Sequence, residues 1–168
     1  MEFIDLIKAR YSCRSFSNKE VEEEKIKKAI EAGILAPTAR NFQPQKIKIL
    51  KSKEDLEKLS ECTIFGWNAP VCLVICYDRE ISYKRKIDNK EFGDIDSSII
   101  TTYMMLEIFN LGLATTWIGH FDAKKVKEVY KLPENFEPVA LLPIGYPAED
   151  AEPSERHYER KSLDEVIF

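Results

Sequence analysis

Apolar positions along this chain fall into helical and strand periods separated by short polar breaks. Phe3, Leu6 and Ile7 share one side of residues 2–9, which predicts a short helix. Ile26, Ala29, Ile30, Gly33 and Ile34 recur at helical spacing over residues 22–35, and Glu22, Glu23 and Glu24 place negative charge at the electropositive first turn. Ala36-Pro37 stops this helix, because a residue before proline is pushed out of the helical region. Lys46 to Leu50 alternates as a strand with Ile47 and Ile49 on one face, and residues 53–60 form a short helix. Val71 to Tyr77 is a nearly continuous apolar run, the pattern of a central strand covered on both faces. Thr115 to Ile118 reads as a strand leading to Gly119, residues 123–131 as a small helix carrying Val126, Val129 and Tyr130, and Pro138 to Ile144 as an apolar strand stopped by Gly145-Tyr146-Pro147.

Two segments break this regular pattern. Around the helix predicted at 94–111, Ile99, Ile100, Tyr103, Met104, Met105, Leu106, Ile108 and Phe109 go nearly all the way round. A helix apolar on every side is expected to be buried on every side, and in so short a chain this predicts that a second subunit covers part of it. Residues 79–93 form a charged excursion with Tyr83 and Phe92, long enough for a lid. The tail at 148–168 is polar and acidic as far as Arg160-Lys161 and ends in Leu163, Val166, Ile167 and Phe168. No repeat or composition break divides residues 1–168, so a single domain is expected. Helices and strands mix without strict alternation, which predicts an α+β sandwich.

Composition narrows the function classes. The 168 residues are 44% hydrophobic and 32% charged, ordinary for a globular protein. A net charge of −4 argues against nucleic acid as the main partner, since such binding draws on a basic surface. The basic cluster Lys84-Arg85-Lys86 is followed by Asp88, Glu91, Asp94 and Asp96 and reads as a solvated loop. No apolar run reaches the eighteen or so residues of a membrane span, and Met-Glu-Phe-Ile-Asp carries acid where a signal peptide carries basic charge. A cytoplasmic location is therefore expected. The four cysteines form no C-x-x-C pair and accompany only two histidines, so no metal site is expected, and Cys72 and Cys76 read as buried core thiols.

Candidate chemistry begins at Arg10-Tyr11-Ser12-Cys13-Arg14-Ser15-Phe16, which gathers two guanidinium groups and two hydroxyls. Arginine presents a planar fork of donors suited to phosphate, although two arginines here also fit a solvated face or surface ion pairs. Dinucleotide-binding glycine motifs, phosphate loops and nucleophile elbows are all missing. His120 follows a glycine at a strand end, as a turn histidine would, and neither histidine neighbours an evident nucleophile.

Five pieces in order resemble the nitroreductase family of FMN enzymes over nearly the whole chain. Arg10 to Phe16 is similar to its Arg-x-Ser-x-Arg-x-Phe signature, and Ala36-Pro37-Thr38-Ala39-Arg40-Asn41-Phe42-Gln43-Pro44 to its Ala-Pro-Ser-x-x-Asn-x-Gln-Pro loop. Gly112 to Gly119 resembles Gly-Leu-Gly-x-x-x-Ile-Gly, Ile144 to Pro147 resembles Ile-Gly-Tyr-Pro, and Arg160-Lys161-Ser162-Leu163 stands where the family has an Arg-Lys-Pro-Leu-like tail. The departures are Thr38 for the usual Ser, Gln45 where many members have Trp, and a chain shorter than most relatives, which makes any lid a small one.

The resemblance implies a sandwich with a mostly antiparallel central sheet, working as a homodimer with FMN at the subunit interface. It assigns Arg10, Tyr11, Ser12, Arg160 and Lys161 to the phosphate and ribityl chain. It assigns Pro37, Thr38, Ala39, Asn41 and Gln43 to the flavin, with Trp117, Ile118 and Gly119 on the other side. Arg14 is implied as the cation near the reduced ring, its alternative being an ion pair with an early glutamate. Three charge-assisted hydrogen bonds contribute about 5–9 kcal/mol. Nanomolar affinity needs about 12 kcal/mol, so the ring must be buried as well. The implied reaction is ping-pong: NADH or NADPH reduces FMN, and a nitroaromatic, quinone or related small-molecule acceptor reoxidises it. A family flavoprotein acting on a halogenated or enone compound, or a non-catalytic FMN-binding sensory protein, are the alternatives.

Overall fold

The computed structural model describes residues 2–168. Nine principal elements follow in chain order: α1 (Phe3–Ala9), α2 (Glu23–Ile34), β1 (Gln45–Leu50), α3 (Lys53–Leu59), β2 (Val71–Asp78), α4 (Gly93–Asn110), β3 (Ala114–Thr115), α5 (Ala123–Val129) and β4 (Phe136–Gly145). The strands form one antiparallel sheet in the order β1-β2-β4-β3. The fold is α+β.

Alternation along the central strands sorts the core into two layers. Val71, Leu73 and Ile75 of β2, with Ala140, Leu142 and Ile144 of β4, meet Ile26 and Ala29 of α2 and Ile100, Met104 and Ile108 of α4. From the opposite face, Cys72, Val74, Cys76 and Leu141 meet Leu59 and Val126 of α3 and α5. Every residue of β2 is buried, as its apolar run predicts. Cys72 and Cys76 are core thiols whose pKa values burial pushes up to about 12. Where α2 crosses α4, Gly33 lets the backbones approach closely; a Cβ there would lie 2.7 Å from Met104 Cγ.

Two sequence expectations change. Ile47 packs on the core, but Ile49 is exposed because β1 is the edge of the sheet. The strand expected at 115–118 pairs only through Thr115; the chain then leaves the ladder and rejoins it where Ile118 exchanges both backbone hydrogen bonds with Leu141. The α4 helix is not covered on every side by its own chain. Asp96, Ile100, Met104 and Ile108 face inward, whereas Ile95 is 36% and Tyr103 42% exposed.

The excursion after β2 folds back as a hairpin. Phe92 N–H donates to Tyr83 O, Arg85 N–H to Lys90 O, and Lys84 bridges Glu91. Its root is joined to the 37–43 loop by the edge-to-face contact of Tyr83 with Phe42, at 6.1 Å between centroids, and within the root Tyr83 meets Phe92 at 5.3 Å.

Candidate functional site

The segment after α1 runs beside β3. Ser12 bridges Thr115, Cys13 N–H donates to Thr115 O, and Phe16 bridges Pro147. Cys13 and Phe16 enter a small cluster with Ala69 and Ala114, while Tyr11 and Ser12 stay half-buried and Arg14 is exposed.

Arg10 sits where α1 ends. Its Nη1 is buried and has no hydrogen-bond partner. Burial lowers the guanidinium pKa, and the neighbouring charge of Arg160 lowers it further. Neither arginine forms a salt bridge among the described residues. Two cations side by side with an unpartnered buried donor are a favourable arrangement for an anion. The tail reaches this place by folding back: His157 Nε2 lies 3.1 Å from Lys8 O and its ring meets the edge of Tyr11. Arg160 Nη1 donates to the carbonyls of Arg156 and Glu159, and Lys161 is exposed. Arg14 Nη1 donates to Ser12 O at 3.3 Å; Arg14 forms no ion pair with the early glutamates, which instead engage Lys25, Lys27, Lys51 and Tyr146.

The 37–43 loop is built differently. Thr38 Oγ1 accepts from Gln43 N–H at 3.1 Å, and Asp96 Oδ1 accepts from Ala39 N–H at 2.9 Å. Between those ties Arg40, Asn41 and Gln43 take positive φ of 55°, 57° and 50°. Left-handed backbone costs non-glycine residues energy, least for Asn, so the two ties hold a strained loop in place. Pro37, Asn41 and Gln43 are exposed, while Thr38 and Ala39 are half-buried.

These two groups lie far apart in one chain. The loop is tied to Asp96 near the start of α4, and the Arg10 group lies beyond its end at Asn110. The intervening 14 residues of helix span about 21 Å. The sheet agrees: Asp78, whose N–H bonds Pro44 O, pairs with Phe136, and Thr115 pairs with Ile144. That stretch of β4 spans about 26 Å. Between the ends lie Trp117, half-buried against the core, buried Ile118, and exposed Gly119. The chain therefore joins Arg10, Ser12 and Arg160 and leaves Asn41 and Gln43 at the other end.

Sequence reasoning missed Asp96 as the loop's anchor. It is 1% exposed, Oδ2 is buried without a partner, and burial raises its pKa. The signal was present: Asp96, Ile100, Met104 and Ile108 recur every four residues, and a carboxylate on a buried stripe calls for a reason. Gln45, in place of the usual aromatic, is half-buried with Oε1 unpartnered. Among the described residues no group of His, Cys, Asp and Glu is disposed to hold a metal, and no helix is long and apolar enough to cross a membrane.

The sequence model of the nitroreductase family matches residues 7–64 and 63–146. A Methanothermobacter thermautotrophicus protein, provisionally named NADH dehydrogenase/NAD(P)H nitroreductase, is 31% identical over 89% of this chain and 80% of its own. The crystal structure of a nitroreductase family protein from Clostridium difficile 630 superposes with a TM-score of 0.93 at 38% identity, covering 100% of this chain and 98% of the other. An FMN-dependent nitroreductase from Clostridium difficile R20291 gives a TM-score of 0.75 at 28% identity, covering 98% and 94%.

Proposed function

The chain belongs to the nitroreductase family, and from that premise we propose that it is an FMN-dependent oxidoreductase taking reducing equivalents from NADH or NADPH. The observation that carries this reading is Arg10, whose buried Nη1 lacks a partner while Arg160 adds a second positive charge beside it. A phosphate monoester carries nearly two negative charges and several acceptor oxygens, which answers both the orphaned donor and the uncompensated charge. Bound FMN supplies reversible hydride uptake at N5, a chemistry that no side chain of this protein offers. The names of the Methanothermobacter thermautotrophicus and Clostridium difficile R20291 relatives support the nicotinamide donor and the flavin respectively.

The chain's own residues then divide the work. Arg10, Tyr11, Ser12, Arg160 and Lys161 hold the phosphate and ribityl chain. Arg14, whose charge no carboxylate neutralises, supplies positive charge near the ring's pyrimidine edge, favouring its reduced, anionic form. Trp117, Ile118 and Gly119 form the wall beside the ring, where glycine lets the backbone come close. Pro37, Thr38, Ala39, Asn41 and Gln43 stand some 21 Å from the phosphate group in one chain. They close over the ring from a second copy, which makes the active unit a homodimer. Two features support that assembly: the uncovered Ile95 and Tyr103 of α4, and a tail whose Leu163, Val166, Ile167 and Phe168 are all exposed. The acceptor is a nitroaromatic, quinone or related small molecule.

The test is a visible spectrum of the purified protein, before and after added FMN, followed by anaerobic addition of NADH and NADPH. A yellow dimer bleached by either nucleotide is the expected result. Colourless protein that cannot take up FMN would refute the reading.

A further inference from the structure

We infer that the hairpin at residues 83–92 is a docking site for the anionic part of the nicotinamide dinucleotide; this rests on the oxidoreductase reading above. The turn carries Lys84, Arg85, Lys86 and Lys90. Arg85 is spent locally: it pairs with Asp88, and its guanidinium lies 5.7 Å from the Phe92 ring centroid. Lys84, Lys86 and Lys90 are exposed and form no salt bridge among the described residues. The acids nearby leave that surplus standing. Asp88 is engaged by Arg85, Glu91 opposite Lys84 has its Oε1 buried, and Glu80 and Asp94 belong to the root of the hairpin. Ile87, at 93% exposure, stands in the turn next to Lys86.

An exposed apolar side chain on a lysine-rich turn fits a nucleotide, with phosphates against the ammonium groups and the adenine face against Ile87. The mounting places this surface usefully. Tyr83 at the root contacts Phe42, which sits between Asn41 and Gln43 of the loop assigned to the flavin ring. The extended arm from Tyr83 to Arg85 rises about 7 Å and the turn at 86–88 carries Ile87 beyond it, so a dinucleotide can lay its nicotinamide near that loop and its pyrophosphate and adenine along the hairpin. The whole chain carries −4, so the hairpin is also a local attractor for an anion that the rest of the surface repels.

The test is the triple variant K84A/K86A/K90A, which leaves the Arg85–Asp88 pair and the aromatic root intact. Calorimetric titration of the FMN-loaded protein with ADP-ribose reads the docking without turnover. The variant is expected to bind it about tenfold more weakly, with a flatter dependence on salt. KM for the dinucleotide should rise by a similar factor with kcat held, while an uncharged N-benzyl dihydronicotinamide reduces both proteins at one rate. Equal ADP-ribose affinity and equal KM in variant and parent overturn the inference. A parent protein that neither dinucleotide reduces, yet that loses ADP-ribose affinity with the lysines, overturns the oxidoreductase reading and supports the docking site.

Discussion

Replacing Arg10 by Met should weaken flavin binding and leave the flavin-free protein as stable as before, or more so. The opposite signs follow from the same atom. Nη1 is buried and unpartnered, and Arg160 adds like charge. Leaving a buried donor unsatisfied costs about 1–3 kcal/mol. Met keeps most of the side chain's apolar stem while removing the orphaned donor and the repulsion, so the flavin-free variant is expected to gain up to about that amount. Binding moves the other way. One charge-assisted hydrogen bond to phosphate contributes roughly 1.5–3 kcal/mol, so the FMN dissociation constant should rise about 10- to 150-fold. Arg10→Lys keeps the charge but loses the planar fork and should fall between. Urea unfolding of flavin-free protein gives the first quantity, and quenching of FMN fluorescence on titration gives the second. A variant that is clearly less stable without flavin, yet binds FMN as tightly as the parent, refutes the argument. Arg10 would then be a structural cation.

Two further outcomes follow from buried contacts. Burial holds the Asp96 carboxyl above the ordinary value of 3.8. The folded protein thus keeps that proton to higher pH than the unfolded chain. Its contribution is fully present below 3.8 and is lost as pH rises through the raised folded value. In Asp96→Asn that slope should vanish, so urea unfolding from pH 3.5 to 7 should show the variant gaining on the parent as pH rises; a constant difference contradicts the assignment. Gly93→Ala drives a Cβ into the Tyr77 ring, so overpacking should destabilise by about 1–3 kcal/mol or more, read as a lower Tm by calorimetry.

Much of the layered core can be read from periodicity, because burial on two faces leaves an unmistakable run in Val71 to Tyr77 and a clean stripe in α2. The α4 pattern is ambiguous for a physical reason. Apolar residues all round state that every side is to be covered, but not whether this chain or another covers it. Motif order proved silent on distance: the Arg10 and Asn41 motifs are neighbours in sequence, yet the lengths of α4 and β4 hold them at opposite ends of the domain. Residues 83–92 lack a hydrophobic period, so their hairpin register emerges only in the structure, from the backbone bonds of Phe92 with Tyr83 and of Arg85 with Lys90. Asp96, grouped by the charge pattern with the acids of a solvated loop, instead lies in the first turn of α4 at 1% exposure, because local charge pattern does not say which carboxylate turns inward.

The backbone of the 37–43 loop has a consequence for how this protein can vary. With Arg40, Asn41 and Gln43 all at positive φ, each position taxes a β-branched side chain before any contact is considered. Random substitution there is filtered by conformation first and chemistry second: Gly, Asn and Asp pass most freely, while Val, Ile and Thr are rejected. A mutant library aimed at new acceptors is therefore better spent on residues such as Gln45, where ordinary strand geometry admits the full amino-acid alphabet.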